Sequence, residues 1–122
     1  YNFDSAFGVN YTVDVTRPKG QKICISSMAD GTPFDLKRTY RVAVNAYRAN
    51  GGGELITRGA GISHDELKSR VLDATELDLR YYLMKAIERK GMISPVVTRN
   101  WRFVPEDIVD AAIPRDRHRL FA

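Results

Sequence analysis

The side chains best suited to chemistry fall in one run of this 122-residue chain, Asn45-Ala46-Tyr47-Arg48-Ala49-Asn50-Gly51-Gly52-Gly53. Tyr47 offers an aromatic face on which a nucleobase can stack, a contact worth about 1–3 kcal/mol per base. Arg48 can serve a phosphate or a carboxylate. The glycines let backbone approach a ligand closely and take conformations closed to other residues. Asn45, Tyr47, Arg48, Asn50, Gly51, Gly52 and Gly53 are therefore the candidate binding residues. The same run also has a structural reading, with Tyr47 as an aromatic on the second face of a strand and the glycines as a turn. It is no phosphate loop, because the Gly-Lys-Ser/Thr ending is missing.

Other reactive side chains read as structural. A single cysteine, Cys24, can form neither an internal disulfide nor a thiolate zinc cage. Its Ile-rich surroundings make it a small core residue. The two histidines, His64 and His118, are far apart in sequence and lack ligand partners at helical spacing. His64 reads as solvent-exposed and His118 as part of a solvated tail. Asp65 and Glu66 read as helix-start charges rather than an acid/base pair, and Trp101 as core. Arg115, Arg117 and Arg119 make a small basic footprint, too slight for a nucleic-acid surface.

The elements that must position these residues can be read from periodicity. Val9, Tyr11, Val13 and Val15 alternate with polar residues, the period of a half-buried strand. Thr16-Arg17-Pro18-Lys19-Gly20 stops it, and Gln21 to Ser26 is expected to return as an antiparallel partner. After a turn at Asp30-Gly31-Thr32-Pro33, Tyr40, Val42, Val44 and Ala46 alternate as another strand. Ser63 with Glu66 forms a capping-box pattern that predicts a short helix over 64–73. Leu79, Leu83, Ala86 and Ile87 share the stripe of the main helix, about residues 75–90, which Gly91 ends. Asn100 to Val104 is expected as a final strand, and Glu106 to Ala112 as a turn or two of helix before a polar tail. The fold class is thus α+β, a mostly antiparallel sheet with one main helix packed on it.

Composition agrees with an ordered domain, being 43% hydrophobic and 28% charged. A chain of this size buries about two-thirds of its surface when it folds compactly, exposing roughly 6,600 Å². No apolar run approaches the ~20 residues of a membrane span. Half of the net charge of +4 lies in the tail beyond Ile113. The chain opens on Tyr1 without a methionine or a signal-like segment and reads as a piece of something longer.

Three stretches carry a family resemblance. They are Tyr1-Asn2-Phe3-Asp4-Ser5-Ala6-Phe7-Gly8-Val9 running on to Pro18, Val44 to Gly53, and Asp78-Leu79-Arg80-Tyr81-Tyr82 with Asn100-Trp101-Arg102-Phe103. Together they resemble the C-terminal domain of the 5′-nucleotidase family. The Asn-x-Tyr-Arg-Ala-x-Gly-Gly wording is closer to its 2′,3′-cyclic-nucleotide 2′-phosphodiesterase/3′-nucleotidase branch. The resemblance implies a later part of a substrate-binding domain over 1–105, with 106–122 as a C-terminal extension. Tyr47 then matches one of two aromatics that sandwich the base, and Asn50 to Gly53 the segment touching the sugar. Many 5′-nucleotidases have an Asp after the Gly pair, where this chain has Gly53.

In function, the resemblance implies a nucleoside- or nucleotide-recognising domain of a metal-dependent phosphoester hydrolase, periplasmic or cell-surface. Its divalent metal pair and catalytic residues are expected in an N-terminal metallophosphatase domain outside this chain, and no cofactor in the chain itself. The fragment alone is not expected to hydrolyse anything. The alternative is a non-catalytic, stand-alone binding module of the same fold, which the Gly53 departure favours.

Overall fold

A computed structural model describes residues 4–121. In chain order its elements are strand β1 (Val9–Asp14), strand β2 (Ile23–Met28), helix α1 (Ala46–Ala49), helix α2 (His64–Arg70), helix α3 (Leu79–Lys90), strand β3 (Trp101–Val104) and helix α4 (Glu106–Phe121). They fall into two compact units, Thr39–Val96 and residues 4–38 with 97–121.

The sheet unit is built around β1, which pairs on both sides. Its order is β2-β1-β3, with β1/β2 antiparallel and β1/β3 parallel. The hairpin is the expected one. Asp14 ends β1 by accepting from the Thr16 amide at 3.0 Å and the Thr16 hydroxyl at 2.6 Å, while Gly20 takes a left-handed φ of 86°. Asp30 and Thr32 repeat the device at 2.9 and 2.6 Å in the next turn. A bulge between Asn10 and Tyr11 leaves Ser26 as the extra residue of β2, and its hydroxyl donates to the Asn10 carbonyl at 3.0 Å.

The register sets Tyr11 beside Trp101 and Val13 beside Phe103. Tyr11 and Trp101 stack with centroids 5.9 Å apart and planes 13° apart, and Trp101 meets Phe103 edge to face at 5.2 Å. Tyr11 is the one buried residue among the described residues of this unit, at 7% exposure. Asn100 ties the strand's entrance together: its amide nitrogen donates to the Ala6 and Val9 carbonyls at 2.8 and 2.9 Å. On the same sheet face an open groove of about 250 Å³ runs over Val9, Tyr11, Val13, Ile23 and Ile25.

Several expectations are corrected here. The sheet is mixed rather than mostly antiparallel, because β3 returns beside β1 in the parallel sense. The alternating segment Tyr40–Ala46 is no strand; it has no ladder partner among the described residues, and Asn45 turns it into α1. Helix content is not one main helix: α4 is longer than α3, running through Pro114 into the segment whose polar composition suggests a tail. Acidic Glu106 and Asp107 in its first turn and His118 and Arg119 in its last suit the helix dipole. Cys24 is exposed rather than core, since it sits on an edge strand opposite Thr12, on the polar side of the hairpin. Trp101 is only half-buried. Each unit has only a small apolar core among the described residues, Tyr11 in one and Leu67 in the other. Tyr1, Asn2 and Phe3, which open the first resembling stretch, lie outside the described residues.

Within Thr39–Val96 helix α2 starts where expected. Ser63 caps α2 with a full capping box: its side chain accepts from the Glu66 amide at 3.3 Å, and Glu66 accepts from the Ser63 amide at 3.2 Å. Leu67 is buried on that helix. Asp78 caps α3, accepting from the Tyr81 amide at 3.2 Å, so this helix starts at Leu79 and not near residue 75. Gly91, at φ 71°, ends α3 with its amide on the Ile87 carbonyl at 2.8 Å. The α3 stripe stays largely exposed, Leu79 at 64% and Leu83 at 54%.

The caps make stability pH-dependent. The Ser63 amide, then the Ser63 hydroxyl and Arg70, hold the Glu66 carboxyl below its ordinary value. Hydrogen bonds from Thr16 and Thr32 do the same for Asp14 and Asp30. A carboxyl lowered on folding stabilises the native state above its unfolded value, and that contribution disappears as pH falls through the folded one. Thermal unfolding followed by circular dichroism should therefore show a falling midpoint below pH of about 4. Glu66→Gln should flatten part of that fall; an unchanged acid limb would show that the capping box contributes nothing to it.

Candidate functional site

The run from Asn45 to Gly53 forms one local structure in the Thr39–Val96 unit. Asn45 sits in extended backbone and caps α1, its Oδ1 accepting from the Arg48 amide at 2.9 Å. That bond converts an alternating, strand-like sequence into a helical turn. Tyr47 therefore projects from a short helix and not from a strand end, which removes the reading of it as a second-face strand residue. Helix α1 runs straight into a 3-10 turn over Gly52–Glu54 and a π-helical turn over Leu55–Gly59.

Each glycine in the loop has its own geometric reason. Gly51 is buried, at φ 87°, and a Cβ there would lie 2.6 Å from the His64 ring and 3.2 Å from the Thr57 methyl. Gly52 lies against Tyr47 itself: a Cβ would meet the Tyr47 carbonyl oxygen and ring carbon Cε2, both at 2.5 Å. Gly53 has φ 69°, in the left-handed region. Glu54 follows at φ 57°, unusual for a residue with a side chain. Its carboxylate is 3.4 Å from the Arg58 guanidinium, an exposed i,i+4 pair.

Tyr47 is 57% exposed while Arg48, beside it, is 7% exposed. The Arg48 guanidinium carbon lies 5.3 Å from the centre of the Tyr47 ring. Arg48 Nη1 donates to the Gly52 carbonyl at 3.0 Å, and the Gly51 amide donates to the Arg48 carbonyl at 3.0 Å. The site is thus an accessible aromatic ring set on a glycine loop and backed by a buried cation. Such a surface can stack a planar ligand and present backbone polar groups at its edge.

All seven candidate residues come together in this turn. His64 is an addition, a residue whose sequence context suggests only a solvated side chain. It is exposed, yet its ring packs on Gly51. The legible signal is Ser63, whose capping places His64 as the first residue of α2. Among the described residues no group of three or more His, Cys, Asp or Glu side chains could hold a metal ion.

With that geometry in place, comparison with known proteins identifies the resemblance. Residues 2–58 match the family described as 5′-nucleotidase, C-terminal domain. The 2′,3′-cyclic-nucleotide 2′-phosphodiesterase/3′-nucleotidase of Salmonella typhimurium is 34% identical over 116 residues, covering 86% of this chain and 17% of that protein. Its namesake from Haemophilus influenzae matches with the same identity and coverage. The trifunctional nucleotide phosphoesterase protein YfkN of Bacillus subtilis is 30% identical over 116 residues, covering 86% of this chain and 7% of its own. The chain thus spans less than a fifth of the length of these curated relatives. No solved structure matches. The likeness to the 5′-nucleotidase C-terminal domain family and its cyclic phosphodiesterase branch, first visible in the Asn45–Gly53 wording, therefore extends over most of the chain.

Gly52→Ala tests the close approach at the heart of the loop. The added methyl must displace either the Tyr47 ring or the turn, and overpacking of this kind costs about 1–3 kcal/mol. We expect shifted Tyr47 ring resonances and a lower unfolding midpoint. Native Tyr47 shifts in the alanine variant would show that the ring does not rest on Gly52.

Proposed function

We propose that this chain recognises the nucleoside part of a nucleotide for a metal-dependent 5′-nucleotidase or 2′,3′-cyclic-nucleotide phosphodiesterase. The observation that carries the reading is the Tyr47 ring. It is exposed, is held by Gly52 and Arg48, and lies within the region similar to proteins named for cyclic-nucleotide hydrolysis. In this reading the base stacks on Tyr47 and the sugar edge meets the loop from Asn50 to Gly53, with Asn45 holding the turn.

The hydrolytic step then belongs to a metallophosphatase domain outside this chain, which carries the divalent metal pair and activates water. The share of the relatives' length left unmatched supports such a partner domain. This chain would contribute orientation, holding the phosphoester where the metals reach it. A periplasmic or cell-surface setting forms part of the same proposal. A stand-alone binding module of the same fold is the second reading, and Gly53 favours it: its left-handed φ and lack of a carboxylate leave the loop without the Asp that many 5′-nucleotidases place there.

Titration of the chain, and of the protein that contains it, with adenosine and 2′,3′-cyclic AMP tests the reading through the Tyr47 ring and Gly51–Gly53 amide resonances. Binding should perturb those groups first. Tyr47→Ala should weaken it roughly 5- to 150-fold, the equivalent of one stacking contact. A containing protein that binds nucleotide with no response at Tyr47 would overturn the stacking role. Hydrolysis by that protein separates the enzyme from the binding module.

A further inference from the structure

We infer that Arg48 is a positioning residue, whose guanidinium locks the glycine loop against the Tyr47 ring and so presets the stacking face, rather than a contact to a phosphate. This inference rests on the reading of Tyr47 as the nucleoside-stacking residue.

The sequence alone invites the opposite view, since an arginine beside an aromatic and a glycine loop is where an anion contact is expected. Three features of the structure turn it inward. Arg48 is 7% exposed, so little of the residue is open to a ligand arriving from solvent. Its Nη1 already donates to the Gly52 carbonyl at 3.0 Å, the glycine on which the Tyr47 ring rests. Its guanidinium carbon lies 5.3 Å from the Tyr47 ring centre, within cation–π range. The backbone of Arg48 joins in, its amide on Asn45 Oδ1 at 2.9 Å and its carbonyl taking the Gly51 amide at 3.0 Å.

One residue therefore links the cap, the ring and both leading glycines. The planar fork matters: it can face a ring and donate in its own plane at once, which a lysine ammonium on a flexible stem does not reproduce. Removing it leaves the Gly52 carbonyl without this donor and frees Tyr47 to leave the loop. The predicted consequence is a loss of ring placement that is blind to ligand charge.

The test compares wild type, Arg48→Lys and Arg48→Met in two measurements. Without ligand, the Tyr47 ring and the Gly51 and Gly52 amide resonances should shift or broaden in both variants, while α3 and sheet amides stay native. With ligand, adenosine and 2′,3′-cyclic AMP should weaken by the same factor, roughly 10- to 100-fold for one charge-assisted hydrogen bond, and lysine should not rescue either. The inference is overturned if ligand-free spectra at Tyr47 and the glycines match wild type. It is equally overturned if cyclic AMP alone weakens and lysine restores it, which is the signature of an anion contact. If wild type binds neither compound, the nucleoside reading fails, and the ligand-free spectra still decide whether Arg48 holds the loop.

Discussion

Tyr47 and Gly52 approach so closely that a Cβ on the glycine would sit 2.5 Å from both the tyrosine carbonyl and its ring, and the whole candidate site depends on that missing atom. Because Gly52 has no side chain, the chain can fold back directly behind α1 and the ring can lie on backbone. Gly51 makes a similar approach to His64, so consecutive glycines carry an aromatic ring and an imidazole. Arg48 closes the arrangement by bonding the Gly52 carbonyl. The loop is thus held by side chains to either side of it, while its own residues contribute little but backbone.

In the sheet unit the corresponding constraint is that β1 alone pairs on both edges. Its apolar positions meet Trp101 and Phe103 on one side and Ile23 and Ile25 on the other. Asn100 fixes the register by spanning two carbonyls, Ala6 and Val9, from the start of β3. With so narrow a sheet, little is fully enclosed, and Tyr11 is the residue that neighbours on both strands bury. The groove over Val9, Val13 and Ile25 is the visible consequence on that face.

Features set by neighbours in sequence are legible without the structure. The turns that follow β1 and β2 arise from Asp14 with Thr16 and Asp30 with Thr32, and the α2 capping box from Ser63 with Glu66, because each bond spans three residues or fewer. Gly91 ends α3 through a bond only four residues long, to Ile87. A local pattern misleads where it serves two structures equally. Tyr40, Val42 and Val44 alternate as a strand would, but alternation supplies no partner, and the Asn45 cap diverts the chain. Cys24 shares its strand with isoleucines, yet strand faces alternate, and the edge position leaves its side exposed.

Sequence by itself determined the chemical inventory of the site: Tyr47, Arg48, the asparagines and the glycine run, the single cysteine, and the likeness to the 5′-nucleotidase C-terminal domain family. Residue identity decides what a side chain can offer. Tertiary structure alone decided how those groups are used. It exposed the Tyr47 ring, buried the neighbouring arginine and aimed it at a backbone carbonyl, brought His64 onto Gly51, and laid β3 parallel to β1. Burial and direction depend on how the turn folds back on itself and on what packs against it, which residue types do not encode, so of two adjacent residues one ring stays open to solvent and one guanidinium is enclosed against it.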